Sequence, residues 1–206
     1  MSARVPRRNR VAPSGEIVAV DARGTMMGNR GGCLHDRDGA IVATHRSRAW
    51  LICLLEFKGR ARQVMSPGLY TELFFLDEAT ALAAGHRPCF ECRRADYGRF
   101  AQAMTRREGH VSVGVVDGAL HPWRLPLGAD RPTWRSRPAS LPDGSIVRDG
   151  GHEWLVVAGA VRRWSPAGYG PAVALPRGTV DVLTPKPTVQ ALARGYPAGV
   201  HPSGQL

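Results

Sequence analysis

The chain has 206 residues, with 28 basic side chains against 17 acidic ones and a formal net charge of +11. That length can bury a real core and suits one large domain or two small ones. No apolar run approaches the roughly 20 residues a membrane helix needs, and no apolar stretch follows the basic N-terminus as a secretory signal requires, so a cytoplasmic, reduced protein is expected.

Almost all the basic residues are arginine; only Lys58 and Lys186 are lysine. Guanidinium forks grip phosphates in pairs of hydrogen bonds, so the skew fits a nucleic-acid partner. Arg, Ala, Gly and Pro also rise together in GC-rich coding sequence, and composition alone leaves both readings open. The surplus is concentrated on residues 1–62 and 87–107.

Residues 1–14 read as a basic N-terminal arm carrying Arg4, Arg7, Arg8 and Arg10. A short strand is expected over Glu16–Val20. A glycine-rich approach, Gly28-Asn29-Arg30-Gly31-Gly32, then leads to Cys33. Asp38-Gly39 signals a hairpin turn, with Ala40–Thr44 as its return. Trp50–Phe57 is apolar on both faces and reads as a central strand, in which Cys53 shares a side with Leu51, Leu55 and Phe57. Tyr70–Leu76 is the next strand. Asp77 is a good N-cap for a short Ala-rich helix over Glu78–Ala84, which Gly85 stops.

Gly85-His86-Arg87-Pro88-Cys89-Phe90-Glu91-Cys92-Arg93-Arg94 follows. Two cysteines two residues apart can wrap one tetrahedral ion. The redox use of Cys-x-x-Cys belongs to alternating βα chains, and this chain does not alternate that way, so zinc is favoured. His86 reads as a supporting or surface residue. Arg93–Arg107 looks helical, with Tyr97, Phe100, Ala101 and Met104 on one apolar stripe.

Composition changes after Gly109. Val111–Val116 reads as a β-like run, and His121–Pro142 as a Pro- and Arg-rich loop with Trp123 and Trp134. Ser145–Arg148, Trp154–Ala158, Ala160–Trp164 and Thr179–Leu183 read as strands, with Ser165–Gly170 a loop. Thr184-Pro185 opens a last short helix. Asp117, His121, His152 and Glu153 read as scattered surface polar groups, and no catalytic constellation is visible in this half.

The run Leu73–Arg94, a strand, an Asp-capped helix and Gly-x-Arg-Pro-Cys-x-x-Cys-Arg, resembles the second half of the zinc module of Ada-type DNA alkylation-repair proteins. The likeness covers about residues 28–94 and implies a bacterial protein with an Ada-like fold there. That module holds zinc through four cysteines, the first two spaced Cys-x-x-x-Cys. By position, Cys89 and Cys92 match the second pair and Cys33 one member of the first. Position 37 is arginine, so a fourth ligand must come from elsewhere. Cys33-x-His35 can chelate if the backbone is extended or turned there, which makes Cys33, His35, Cys89 and Cys92 the expected set, with Cys53 and His45 as alternatives for the fourth ligand.

The expected fold is α+β: a basic arm (1–14), an Ada-like zinc module (15–109) and a mainly β region with a short terminal helix (110–206). The expected function is that of a zinc-binding protein, with enzymatic activity left open, a structural Cys₃His site and a DNA-binding surface that includes Arg30, Arg87, Arg93 and Arg94. The resemblance also implies an alternative, a methyl acceptor for DNA phosphotriesters through Cys33. A zinc-stapled interaction domain is a third reading.

Overall fold

The computed structural model describes residues 5–59, 63–124 and 131–205. The architecture is mixed α+β, with two six-stranded sheets and four α-helices among the described residues, and the C-terminal half is mainly β. The first sheet uses β1 (Arg8–Val11), β2 (Ile17–Ala19), β3 (Met26–Asn29), β4 (Leu51–Cys53), β5 (Leu73–Phe75) and, after α1 (Glu78–Ala83), the two-residue β6 (Arg87–Pro88). Its order is β2-β1-β5-β3-β4-β6; β1 lies parallel to β5 and β4 parallel to β6. Residues 1–4 lie outside the described residues. The rest of the expected arm includes β1, where Asn9 and Val11 are buried.

The two faces of this sheet have different fates. Leu73, Gly28 and Ile52 stand side by side across β5, β3 and β4, and Leu73 and Ile52 are fully buried. Only glycine fits between them, because a Cβ on Gly28 would meet the Leu51 carbonyl oxygen at 2.0 Å. The next row, Phe74–Met27–Cys53, points the other way, since side chains alternate along a strand.

Helix α1 begins at Asp77, whose Oδ1 accepts from the Thr80 backbone N–H at 2.8 Å. All six helical residues are buried, Glu78 included. Helix α2 (Arg94–Thr105) buries Tyr97, Phe100, Ala101 and Met104, the stripe expected from sequence, and ends at Arg106 in the left-handed region. Each such side chain withdrawn from water contributes about 1.5–3 kcal/mol.

Val111–Val116 differs from expectation. It leads into a helix, α3 (Val113–Leu120), because Val116 and Leu120, one turn apart, fit the core beside α2 while Asp117 meets Arg87. Trp134 opens β7 (Trp134–Ser136) and donates to the Thr184 carbonyl.

The second sheet is antiparallel throughout. It adds β8 (Ile146–Asp149), β9 (His152–Val157), β10 (Ala160–Ser165), β11 (Gly168–Ala174) and β12 (Val180–Val182), in the order β11-β10-β9-β8-β12-β7. The expected loop at Ser165–Gly170 is the turn into β11. Helix α4 (Lys186–Ala193) follows β12 and packs on α2 and α3. One core holds Ile52, Leu73, Phe75 and Phe100 together with Val116, Leu120, Leu192 and Tyr196, so residues on both sides of position 110 share it.

Candidate metal centre

The Cys53, Cys89 and Cys92 sulfurs all lie within 4.8 Å of one another. Cys53 ends β4. Cys89 sits one step past the paired Ile52 and Pro88, and its N–H donates to the Ile52 carbonyl at 2.9 Å. Parallel pairing of β4 with β6 therefore sets these two cysteines side by side, one step past the same pair on neighbouring strands. The Cys-x-x-Cys turn then brings Cys92 round, just before α2.

Backbone N–H groups converge on the sulfurs. Glu91 N donates to Cys89 Sγ at 3.4 Å. A hydrogen bond from Cys53, followed by those from the Cys92 and Glu91 backbone, draws the Cys89 thiol down to about 5. Cys92 is lowered by Cys53 and by the Leu54 N–H, whereas Cys53, the donor to both, is pushed up by those bonds and by burial. The Cys53 hydrogen bonds first, and then the backbone N–H groups, shift Cys89 and Cys92 towards the thiolate form. Tetrahedral zinc with sulfur at ~2.3 Å needs sulfurs ~3.8 Å apart, so at most about 1 Å of movement per pair completes three ligands from separations within 4.8 Å. Soft thiolates in that number suit a soft or borderline ion.

The expected set is divided. Cys89 and Cys92 join the cluster, and Cys53, an alternative in the sequence reading, takes the place given to Cys33. Cys33 and His35 lie outside it. The reason is the turn at Gly31 and Gly32, both at positive φ (73° and 65°), which carries the chain out of the sheet after β3. Cys33 Sγ is 3.7 Å from His35 Nδ1 and also lies 3.1 Å from the His35 carbonyl, to which it donates. Thr71 Oγ1 accepts from Leu34 N and shares a second hydrogen bond of 2.7 Å with His35 Nδ1. His45 Nδ1 lies 3.0 Å from its neighbour Thr44, and its ring packs on Trp50 and His121.

The arginines named for phosphate contact are also divided. Arg30 is fully buried, stacked 4.0 Å over Trp50 and donating to His86 and to the Gly15 carbonyl. Burial, then the Arg131 and Arg124 charges, bring it down to about 9, so it stays cationic at neutral pH. Arg87 is buried against Asp117, with Nη2 at 2.8 Å. Arg93 is buried between Glu78 and Asp96, each at 2.8 Å. These three hold the fold and are not available to a backbone phosphate; Arg94 alone is exposed. His86 is fully buried, where desolvation and Arg30 hold its pKa well below the usual value. Asp117, read as a surface group, is the shared partner of Arg87 and Arg124.

The cluster opens on a cavity of about 570 Å³. Its floor is the outer face of the first sheet: Met27, Asn29, Leu51, Cys53, Glu72 and Phe74. No helix among the described residues is long and apolar enough to cross a membrane. Compared with known protein families, curated proteins and solved structures, the chain matches none.

Proposed function

We propose that Cys53, Cys89 and Cys92 hold a zinc ion as thiolates and that the protein engages nucleic acid through a separate basic surface. The convergence of three sulfurs within 4.8 Å supports the first part. Zinc would supply a fixed positive charge that keeps all three sulfurs ionised, with a fourth position left by the three-cysteine set. Around it the chain's own groups do defined work: the Leu54 and Glu91 N–H groups hold two sulfurs in place, and β4 and β6 fix the spacing of the other contact.

Metal analysis of purified protein tests this directly. One zinc per chain is expected in the wild type, little in Cys53→Ser and Cys89→Ser, and an unchanged content in Cys33→Ser. A metal-free wild type overturns the assignment. Loss in Cys33→Ser with retention in Cys53→Ser restores the set expected from sequence.

The nucleic-acid part is supported by the net charge of +11 and by α2, whose outward side exposes Arg94, Arg99 and Arg106, with Arg107 just beyond. Binding to duplex DNA should then weaken steeply from about 50 to 200 mM salt, as released counterions require. A flat salt response removes it.

A methyl-transfer reading is favoured by the way the cluster borders an open cavity. A cysteine sulfur would bond the methyl carbon of a phosphotriester while the carbon–oxygen bond breaks and the phosphodiester leaves with the electron pair. Cys33 lies outside this constellation, so peptide mass mapping of all four cysteines after exposure to methylated DNA is the test. A methyl group on Cys53, Cys89 or Cys92 supports transfer at the cluster, one on Cys33 the acceptor expected from sequence. Four unmodified cysteines exclude the reaction.

A further inference from the structure

The cavity beside the cysteines has a second chemical feature, Glu72. Its residue is only 2 % exposed, and it lines the cavity from β5's leading edge. Oε2 accepts from the Met65 N–H at 2.7 Å. Oε1 is buried and has no hydrogen-bond partner among the described residues. A buried carboxylate oxygen left unpaired costs about 1–3 kcal/mol or more, so it calls for a donor that the described residues do not supply.

The surroundings narrow the class of donor. Met27, Leu51, Phe57, Val64 and Phe74 give the cavity apolar and aromatic walls. Glu72 immediately precedes β5 and Cys53 ends β4, with β3 between the two strands. Two strand spacings separate those columns by ~10 Å, the length of a small organic molecule rather than a single ion. An apolar pocket with one well-placed polar group is the usual form of a small-molecule site.

We propose that this cavity binds a small organic amine, its ammonium head on Glu72 Oε1 and its apolar body laid over Phe74 and Met27 towards the cysteines. Charge-assisted hydrogen bonds are about twice as strong as neutral ones, and the aromatic rings add attraction for the cation. The site is the one assigned above to a metal, but the amine's contacts do not require the ion.

The test is calorimetry on the full chain with 2-phenylethylamine and 2-phenylethanol, which share a body and differ in the charged head. The amine should bind the wild type at least about tenfold more tightly than the alcohol, as one charge-assisted hydrogen bond predicts. Glu72→Gln should bring the two within about threefold while keeping its metal content. Equal binding of amine and alcohol by the wild type, or binding of neither, overturns the proposal whether or not the variant folds. Repeating the titration after chelator treatment separates the two assignments. Amine selectivity in a protein that never carries metal leaves this proposal standing and removes the ion, and metal without amine selectivity does the reverse.

Discussion

The two sheets are built on different physics. Around the first, ionic side chains are buried: Arg30, Arg87, Arg93, Arg124, Glu72, Asp77, Glu78 and Asp117. The second packs Val147, Val156, Val161, Val180 and Val182 with Leu141 and Val189, and among its described strand residues no charged side chain is fully buried. One sheet is assembled from strands of two to four residues and includes two parallel pairings, whereas the other is antiparallel throughout, with successive hairpins from β8 to β11 and longer-range pairing of β12 with β8 and β7. Buried ions cost stability unless every partner is in place. A region that keeps many of them is one where local rules have yielded to something else, and it is also where the three cysteines and the cavity lie.

Removing a counter-ion is the hardest strike at that contrast. Asp117→Ala leaves Arg87 and Arg124, with side chains 3 % and 1 % exposed, without their shared carboxylate. A loss of about 3–5 kcal/mol is expected from two uncompensated buried cations, read from urea denaturation midpoints. Arg148→Ala in the second sheet breaks a pair whose arginine is 43 % exposed, and solvent screening limits the effect to about 0–1 kcal/mol. Equal losses in the two variants would erase the distinction between the sheets.

A cavity in the second sheet's core tests the contrast from the other side. Leu155 is fully buried with Ile146, Leu183 and Leu76. Leu155→Ala should cost about 2–5 kcal/mol, somewhat less at the low end than Asp117→Ala. Its folded fraction should keep the wild-type metal content, since Leu155 lies outside the cavity lining. Loss of metal in that fraction would show that a void in this cluster, which Leu76 shares with Leu155, reaches the cysteines.

Much of this was legible in the sequence where the cause is local. Asp77, Gly85 and the Tyr97–Phe100–Ala101–Met104 stripe marked α1 and α2, because caps and a 3.6-residue period leave their signs within one or two turns. The runs Ser145–Arg148, Trp154–Ala158 and Ala160–Trp164 marked the strands of the second sheet's hairpins. What stayed hidden depended on distant partners. Val111–Val116 alternates like a strand, and only the surface it meets on α2 makes it helix. β11 begins at Gly168, inside the Ser165–Gly170 segment read as a loop, and its Pro171 is tolerated because the strand lies at the sheet's edge. At the metal centre, the Cys-x-x-Cys turn was visible, but Cys53 read as core. Its neighbour Cys89 is reached only through the parallel pairing of β4 with β6, across more than thirty residues, and no short-range pattern announces it.

The smallest effect bears on function as well as stability. Arg106 closes α2 at φ 57°, and Ala158 opens the β9–β10 turn at φ 48°. Left-handed backbone costs a residue with a Cβ about 1–2 kcal/mol, and glycine's extra freedom in the unfolded chain returns part of that. Arg106→Gly and Ala158→Gly should each therefore stabilise by about 0.5–1 kcal/mol, seen as small rises in denaturation midpoint. Their effects on DNA binding should differ. Arg106 belongs to the basic outward side of α2, so its loss should weaken binding and lower the salt slope by about one unit, whereas Ala158→Gly should leave both unchanged. If the two variants match in DNA binding as they do in stability, the polyanion contact does not run along α2, and the charge of this helix serves only to keep its outer face in water.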